Sequence, residues 1–203
     1  YALDGETPSW PIPPNVSGNG VEGGDFSFGF SADAATVAFP VPLQAREPLG
    51  SLIYDSSVSA LISAGGDTDR FTVALDAGQT LTTVASPDTT LQPMIKVFNP
   101  SGASFASTQA VAIGQEAVLQ PIPVTNSGLY AVEISAVGVS TGRYSVQVFL
   151  NAAVESESHD GPANNTLATA QDLQSSFSIL AGTSTRGAVV GQSEPATSDY
   201  YRF

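Results

Sequence analysis

Short stretches in which apolar residues alternate with polar or small ones recur along most of this chain, and this period of two constrains the fold most strongly. Phe71, Val73 and Leu75 alternate in this way in the segment that opens at Asp67. Successive side chains of a β-strand point to opposite faces, so the alternation predicts strands with one buried face. Residues 198–203 begin the same pattern again, which predicts a repeated module with an incomplete second copy.

The composition narrows the class of protein. Only 12% of the residues are charged and 42% are hydrophobic, which is typical of a low-charge β protein and not of a disordered acidic tail. The net charge of −13 would repel phosphate backbones, so we expect no nucleic acid partner and favour divalent cations. The absence of cysteine excludes disulfides, a thiolate metal site and a cysteine nucleophile.

Three regions differ in composition. Residues 1–45 are predicted to form a Pro- and Gly-rich N-terminal arm, either as edge strands such as residues 36–43 or as a linker with aromatic residues packed on a neighbouring domain. Residues 46–152 are predicted to form one complete β-sandwich. Residues 153–203 are predicted to contain a linker, one or two helical turns and the opening part of a second sandwich.

Turn sequences separate the predicted strands of the middle region. Residues 99–102 read Asn-Pro-Ser-Gly, which suits a type I turn and predicts a hairpin. Apolar residues share one face in residues 130–136 and again in residues 144–150. Seven or eight short strands with turns at intervals of about 8 to 12 residues predict a β-sandwich or barrel.

Five of these elements, taken in order, resemble the bacterial pre-peptidase C-terminal domain family. They are residues 67–71 (Asp-x-Asp-x-Phe), 75–81, 97–102, 127–132 and 142–146. The second copy resembles the opening of the same domain, with residues 164–173 as the lead-in and residues 199–203 as the first long strand. The resemblance covers about residues 46–203.

The resemblance implies a jelly-roll-like antiparallel β-sandwich, present as a tandem repeat, in a secreted or surface protein of bacteria. Domains of this family do not catalyse, and they act in adhesion or in binding a substrate or matrix. Some relatives hold calcium through acidic residues in the segment that enters the sandwich and in the Asp-rich turn before the first long strand.

Calcium takes about six to eight oxygen ligands, usually with several carboxylates. The resemblance places candidate ligands in both copies, and the alternative is that these residues are solvated turn formers. The candidates are Glu155, Glu157, Asp160, Asn164 and Asp199 in the second copy, and Asp67 and Asp69 in the first.

Known catalytic motifs are missing from the sequence. The single histidine, His159, is expected to be an exposed linker residue, and Glu133 is expected to face outward from its strand. The chain has no zinc-binding His-Glu-x-x-His, no Gly-x-Ser-x-Gly elbow and no phosphate loop. We therefore expect no enzyme activity.

Two functions remain open. The first is a non-catalytic extracellular module that binds an extracellular polymer or protein. The second is a structural subunit that assembles with copies of itself, by strand or arm exchange, into a filament or layer. The chain begins with Tyr1 and has no run of about 20 apolar residues, so we expect a processed chain or fragment without a membrane span.

Overall fold

The computed structural model describes residues 37–39, 42–48, 50–192 and 198–203. All of them lie in one compact unit that spans residues 34–203. The predictions for the N-terminal arm before Val37 lie outside the described residues. Within the described part, the secondary structure consists of strands and three short 3₁₀ turns, and no helix there is long and apolar enough to cross a membrane.

Ten strands build two facing sheets. The two short edge strands are β1 (Val37–Ala38) and β2 (Gln44–Ala45). The eight longer strands are β3 (Tyr54–Ile62), β4 (Thr68–Leu75), β5 (Thr80–Pro87), β6 (Pro93–Phe98), β7 (Ser104–Gln109), β8 (Ala117–Pro123), β9 (Gly128–Ala136) and β10 (Gly142–Leu150). The first sheet has the order β1-β4-β9-β6-β7 and the second has the order β2-β3-β10-β5-β8.

This strand order is that of a jelly roll. If β3 to β10 are counted from one to eight, the two sheets become 2-7-4-5 and 1-8-3-6, which is the arrangement of two interlocked Greek keys. The pairings among the eight longer strands are all antiparallel. The predicted all-β, jelly-roll-like antiparallel sandwich is therefore confirmed.

The predicted alternation also sets the core. Tyr130, Val132 and Ile134 of β9 are each at most 1% exposed, and Val146 and Val148 of β10 are fully buried. They pack with inward-facing residues of the other strands in one continuous apolar cluster. Because burial of apolar surface drives folding, this cluster is the main source of stability for the sandwich.

Buried polar contacts fix the sheets and their turns. The Tyr130 hydroxyl donates to the Asn126 carbonyl at 2.9 Å, which closes the turn before β9 as a tyrosine corner does. The Tyr144 hydroxyl of β10 donates to Asp69 of β4 at 2.7 Å and so joins the two sheets. Asp67 accepts from both the amide and the hydroxyl of Ser63, each at 2.7 Å, and closes the turn between β3 and β4.

The outward-facing carboxylate of Glu133 is not free in solvent. Glu133 points away from the core, but it is only 9% exposed because Arg70 on the adjacent strand forms an ion pair with it. The Arg70 guanidinium also lies 4.4 Å from the centre of the Phe98 ring. The expectation of a simple outward residue was therefore incomplete, since a cross-strand partner covers the carboxylate.

The chain after β10 forms three two-stranded sheets. The 3₁₀ turn at Leu167–Thr169 stands where one or two helical turns were predicted. The strands are β11 (Ala153–Val154), β12 (Gln171–Asp172), β13 (Ser178–Ala181), β14 (Ser184–Arg186), β15 (Val189–Val190) and β16 (Tyr201–Arg202), paired as β11-β15, β12-β16 and β13-β14. The strand predicted over residues 199–203 is thus a two-residue strand, with β12 as its partner.

The tail repeats the way in which the sandwich begins. In the first copy, β1 runs parallel to β4, and the Phe39 amide donates to the Thr72 carbonyl directly after the paired residues. In the tail, β12 runs parallel to β16, and the Leu173 amide donates to the Arg202 carbonyl at the equivalent step. An antiparallel pair follows in each case, β2-β3 in the first and β13-β14 in the second. The tail therefore has the same order of pairings as the start of the sandwich, and the partial repeat stays a prediction.

Candidate metal-binding cluster

The cluster lies where the chain leaves the sandwich. Beyond β10, the β11-β15 pair packs Val154 and Val190 against Val84 and Phe149 on the outer surface of the second sheet. Glu155 follows β11 directly, and its amide donates to the Val190 carbonyl at 2.8 Å. Glu155 therefore lies directly after the strand that packs against the second sheet, where the chain leaves the sandwich.

The carboxylate of Glu155 is buried and accepts hydrogen bonds through both of its oxygens. Glu155 is 2% exposed. One of its oxygens accepts from the Tyr201 hydroxyl at 2.8 Å, and the other accepts from the Ser158 hydroxyl at 2.9 Å and from the Gln192 amide at 3.1 Å. A side chain at Gly191 would place its Cβ 2.6 Å from the carboxylate, so glycine is required there.

These contacts set the protonation states. Burial raises the pKa of Glu155, but the hydrogen bonds from Tyr201, Ser158 and Gln192 outweigh it and hold the pKa below its ordinary value of 4.5. Burial and the hydrogen bond to Glu155 raise the pKa of Tyr201 to about 12. At neutral pH the pair is therefore a carboxylate that accepts from a neutral phenol.

Asn164 supplies an unpartnered oxygen beside this carboxylate. Asn164 is 1% exposed. Its side-chain nitrogen donates to the Tyr200 carbonyl at 3.4 Å, and its backbone amide donates to the Glu157 carboxylate at 3.1 Å. Its Oδ1 atom is buried and has no donor among the residues described. A buried acceptor without a donor lowers the stability of the fold by on the order of 1 to 3 kcal/mol. A ligand that binds this oxygen would recover that free energy.

The charges of Glu155 and Glu157 lie close enough to Asp199 to act on it. Burial, together with the charges of Glu155 and Glu157, raises the pKa of Asp199, because like charges at close quarters disfavour ionisation. In the described part of the chain, no three His, Asp or Glu side chains are already arranged to hold a metal ion. Like charges repel, so these carboxylates would draw together only around a cation.

Asp160 and His159 serve a different contact. Asp160 accepts from the Glu116 amide at 3.1 Å, and His159 Nδ1 lies 2.5 Å from the Glu116 carboxylate. The His159 side chain is only 22% exposed, so the expectation of an exposed linker histidine was wrong. Glu116, directly before β8, therefore holds the linker through its backbone amide, which binds Asp160, and its carboxylate, which binds His159.

Four of the seven candidate ligands interact with one another in pairs: the Asn164 backbone amide binds Glu157, and the charges of Glu155 and Glu157 act on Asp199. Asp160 joins the linker to β8, and Asp67 and Asp69 bind donors within the sandwich. Sequence reasoning missed Tyr201, Ser158 and Gln192 as donors to Glu155. The only signal for Tyr201 was its place in the repeated strand pattern.

No family model matches this chain, and no curated protein matches it significantly. Among solved structures, the chain is similar to PliG of Aeromonas hydrophila, a periplasmic inhibitor of g-type lysozyme, at 18% identity over 57% of this chain and 96% of that chain, with a TM-score of 0.40. It is similar to the pre-peptidase C-terminal domain of Bacillus anthracis collagenase at 14% identity over 46% and 88%, with a TM-score of 0.40. It is similar to a Bacillus endospore appendage protein at 15% identity over 48% and 86%, with a TM-score of 0.33. These values do not place the chain in a family.

The lowered pKa of Glu155 predicts an acid-sensitive contact. Stability from an acid with a depressed folded pKa is complete above its ordinary value of 4.5 and is lost as the pH falls through the folded pKa. The free energy of unfolding, measured by urea denaturation, should therefore fall below pH 4.5 in the wild type, and Glu155→Gln should flatten this part of the profile.

Asp76→Asn provides the control, because Asp76 is exposed and its side chain has no partner among the described residues. It should keep the wild-type pH profile. An unchanged acid limb in Glu155→Gln would show that Glu155 does not contribute to it.

Proposed function

We propose that the chain is a non-catalytic extracellular module of a secreted or surface bacterial protein, which acts in adhesion or matrix binding. We further propose that calcium joins its two repeats at the cluster of Glu155, Glu157, Asn164 and Asp199. The observation that carries this proposal is the buried, unpartnered Oδ1 of Asn164, a residue whose backbone amide binds Glu157 and whose side chain lies within hydrogen-bonding range of Glu155. The cluster lies where the chain passes from the sandwich into the second repeat.

The chemistry of the donors fits calcium. Carboxylates and amide carbonyls are hard oxygen ligands, and calcium accepts them in flexible geometries with water completing the shell. A bound calcium ion would neutralise the mutual repulsion of the carboxylates and would supply a positive partner to Asn164 Oδ1. Extracellular calcium modules have dissociation constants of about 10⁻⁴ to 10⁻³ M. A site whose ligands are only partly preorganised would have a weak affinity of this kind.

The sandwich also offers a binding surface at one end. The β7-β8 loop is hydrogen-bonded to residues 91 and 93, and the β9-β10 loop is bonded to Gln92, so the two loops lie side by side. Their tips expose Val111 (91%), Ile113 (56%) and Val139 (86%). Loops on a rigid scaffold commonly carry specificity, and apolar side chains exposed on neighbouring loops can contribute to a contact surface. This loop surface supports a binding role.

Calcium should stabilise the native chain. At about ten times its dissociation constant, a ligand that binds only the folded state contributes about 1.4 kcal/mol, which corresponds to a rise in Tm of roughly 3 to 6 °C for a chain of this size. Differential scanning fluorimetry with calcium or a chelator measures this rise. Asp199→Asn should abolish it and Asp76→Asn should retain it. A wild type without a rise, or an equal rise in Asp199→Asn, would contradict the proposed site.

A self-assembling subunit is the alternative function. It is favoured by apolar side chains exposed in the second repeat, namely Leu167, Ile179, Leu180 and Phe203, which are 49% to 87% exposed. Negative-stain electron microscopy of the natively isolated protein, with and without chelator, separates the two functions.

We expect dispersed particles that bind saturably to one of several immobilised polymers, such as collagen, chitin, cellulose or peptidoglycan. Ordered filaments or sheets would reject the adhesion module in favour of assembly. Dispersed particles that bind none of these polymers would count against adhesion to them.

A further inference from the structure

We propose that a cleft beside β15 binds an extended peptide that carries a carboxylate. The cleft has a volume of about 630 Å³ and opens between the β2-β3 turn, with Arg46, Pro48 and Ile53, and the segment that contains Arg186 and Val189. This partner surface would belong to the binding module proposed above and so rests on that function. It involves none of the residues of the calcium cluster.

An unpaired cation marks one wall of the cleft. The Nη1 atom of Arg186 is buried and has no hydrogen-bond partner among the described residues. Glu47 lines the same cleft but has an interaction of its own. A buried guanidinium nitrogen without an acceptor is unfavourable, so this side chain favours a ligand that brings one.

Three of the other four arginines have acidic partners, and the fourth, Arg143, is exposed to solvent. Arg46 pairs with Asp55, Arg70 pairs with Glu133 and Arg202 pairs with Asp172. The chain has 19 acidic and only 6 basic residues, so a partly buried guanidinium without a carboxylate partner is unusual in it. Carboxylates match the fork of guanidinium donors in two parallel hydrogen bonds, so the ligand should supply one.

The second feature of this cleft is the edge of β15 that does not pair with β11. The carbonyls of Ala188 and Val190 accept from the amides of Ala153 in β11 and of Glu155, which follows β11. In a parallel ladder, the intervening residue points its amide and carbonyl to the other edge, so those of Val189, a residue that lines the cleft, face away from β11. Within the described ranges, β15 pairs with no second strand.

A strand edge of this kind recognises extended backbone. An added strand gains main-chain hydrogen bonds, while pockets beside the edge select its side chains. Small residues flank β15, with Ala188 before it and Gly191 after it. Val189 would therefore hold the peptide backbone, and Arg186 would select an Asp or Glu side chain.

The test uses the full chain, labelled with ¹⁵N, and three blocked pentapeptides. The first has the sequence TVEVT, the second is its glutamine counterpart TVQVT, and the third is TVEVT with N-methylated backbone amides. We expect amide shifts centred on residues 187–191 and about tenfold tighter binding of TVEVT than of TVQVT, since a charge-assisted hydrogen bond is roughly twice as strong as a neutral one. The N-methylated peptide should not bind, because it cannot pair with the edge.

Variants assign the preference to Arg186. Arg186→Gln should bind TVEVT and TVQVT equally, whereas Arg143→Gln, which removes an exposed arginine outside the cleft, should keep the tenfold preference. Shifts away from β15, equal wild-type affinities or binding of the N-methylated peptide would each overturn the proposal. These comparisons hold even if Arg186→Gln does not fold, because they use the wild type.

The peptide-binding result and the calcium result can each fail without the other. If the peptides do not bind but calcium still raises the Tm, the cleft proposal fails and the calcium-joined module stands. If TVEVT binds at β15 and calcium has no effect, the cleft stands and the calcium proposal fails.

Discussion

The arrangement of the chain after β10 depends on the buried carboxylate of Glu155. It accepts from Tyr201, Ser158 and the Gln192 amide, which lie in three separate stretches of the tail. A carboxylate buried to this degree is stable only when such donors replace the water it has lost. The short strands β11, β12, β15 and β16 have few ladder hydrogen bonds of their own, so this single group gives them a common anchor.

The repeated pairing explains why this anchor lies at a junction. The parallel pairs β1-β4 and β12-β16 open the two repeats in the same way, and Glu155 lies between the end of the first repeat and the start of the second. The same carboxylate touches the residue beyond β15 through Gln192, and β15 forms a wall of the peptide cleft. An ion at the cluster and a peptide at the cleft would therefore act on the same short strand from opposite sides.

Features governed by local alternation could be predicted from the sequence. The buried faces of β9 and β10 follow from period two, because side chains of a strand alternate whatever the tertiary context. Alternation alone left a sandwich or a barrel open, and the resemblance of residues 67–146 to a known domain family led to the jelly roll. The single 3₁₀ turn at Leu167–Thr169 lay within the short helical segment that was expected.

Contacts between distant segments could not be predicted. Glu116 and His159 lie 43 positions apart and Glu155 and Tyr201 lie 46 apart, and nothing in either local sequence encodes the encounter. For the same reason Asp160 resembled a ligand in sequence but binds the Glu116 amide in the fold. Arg186 was missed because its significance lies in a burial that only the fold creates.

Terbium luminescence would show whether a calcium ion binds beside Glu155. Terbium takes the oxygen ligands of calcium and emits when a nearby tyrosine transfers energy to it. Because Tyr201 donates to Glu155 at 2.8 Å, excitation of tyrosine should give terbium emission that calcium displaces and that Tyr201→Phe removes, while Tyr54→Phe leaves it intact. Absent emission, or emission unchanged by Tyr201→Phe, would contradict a cation at this junction.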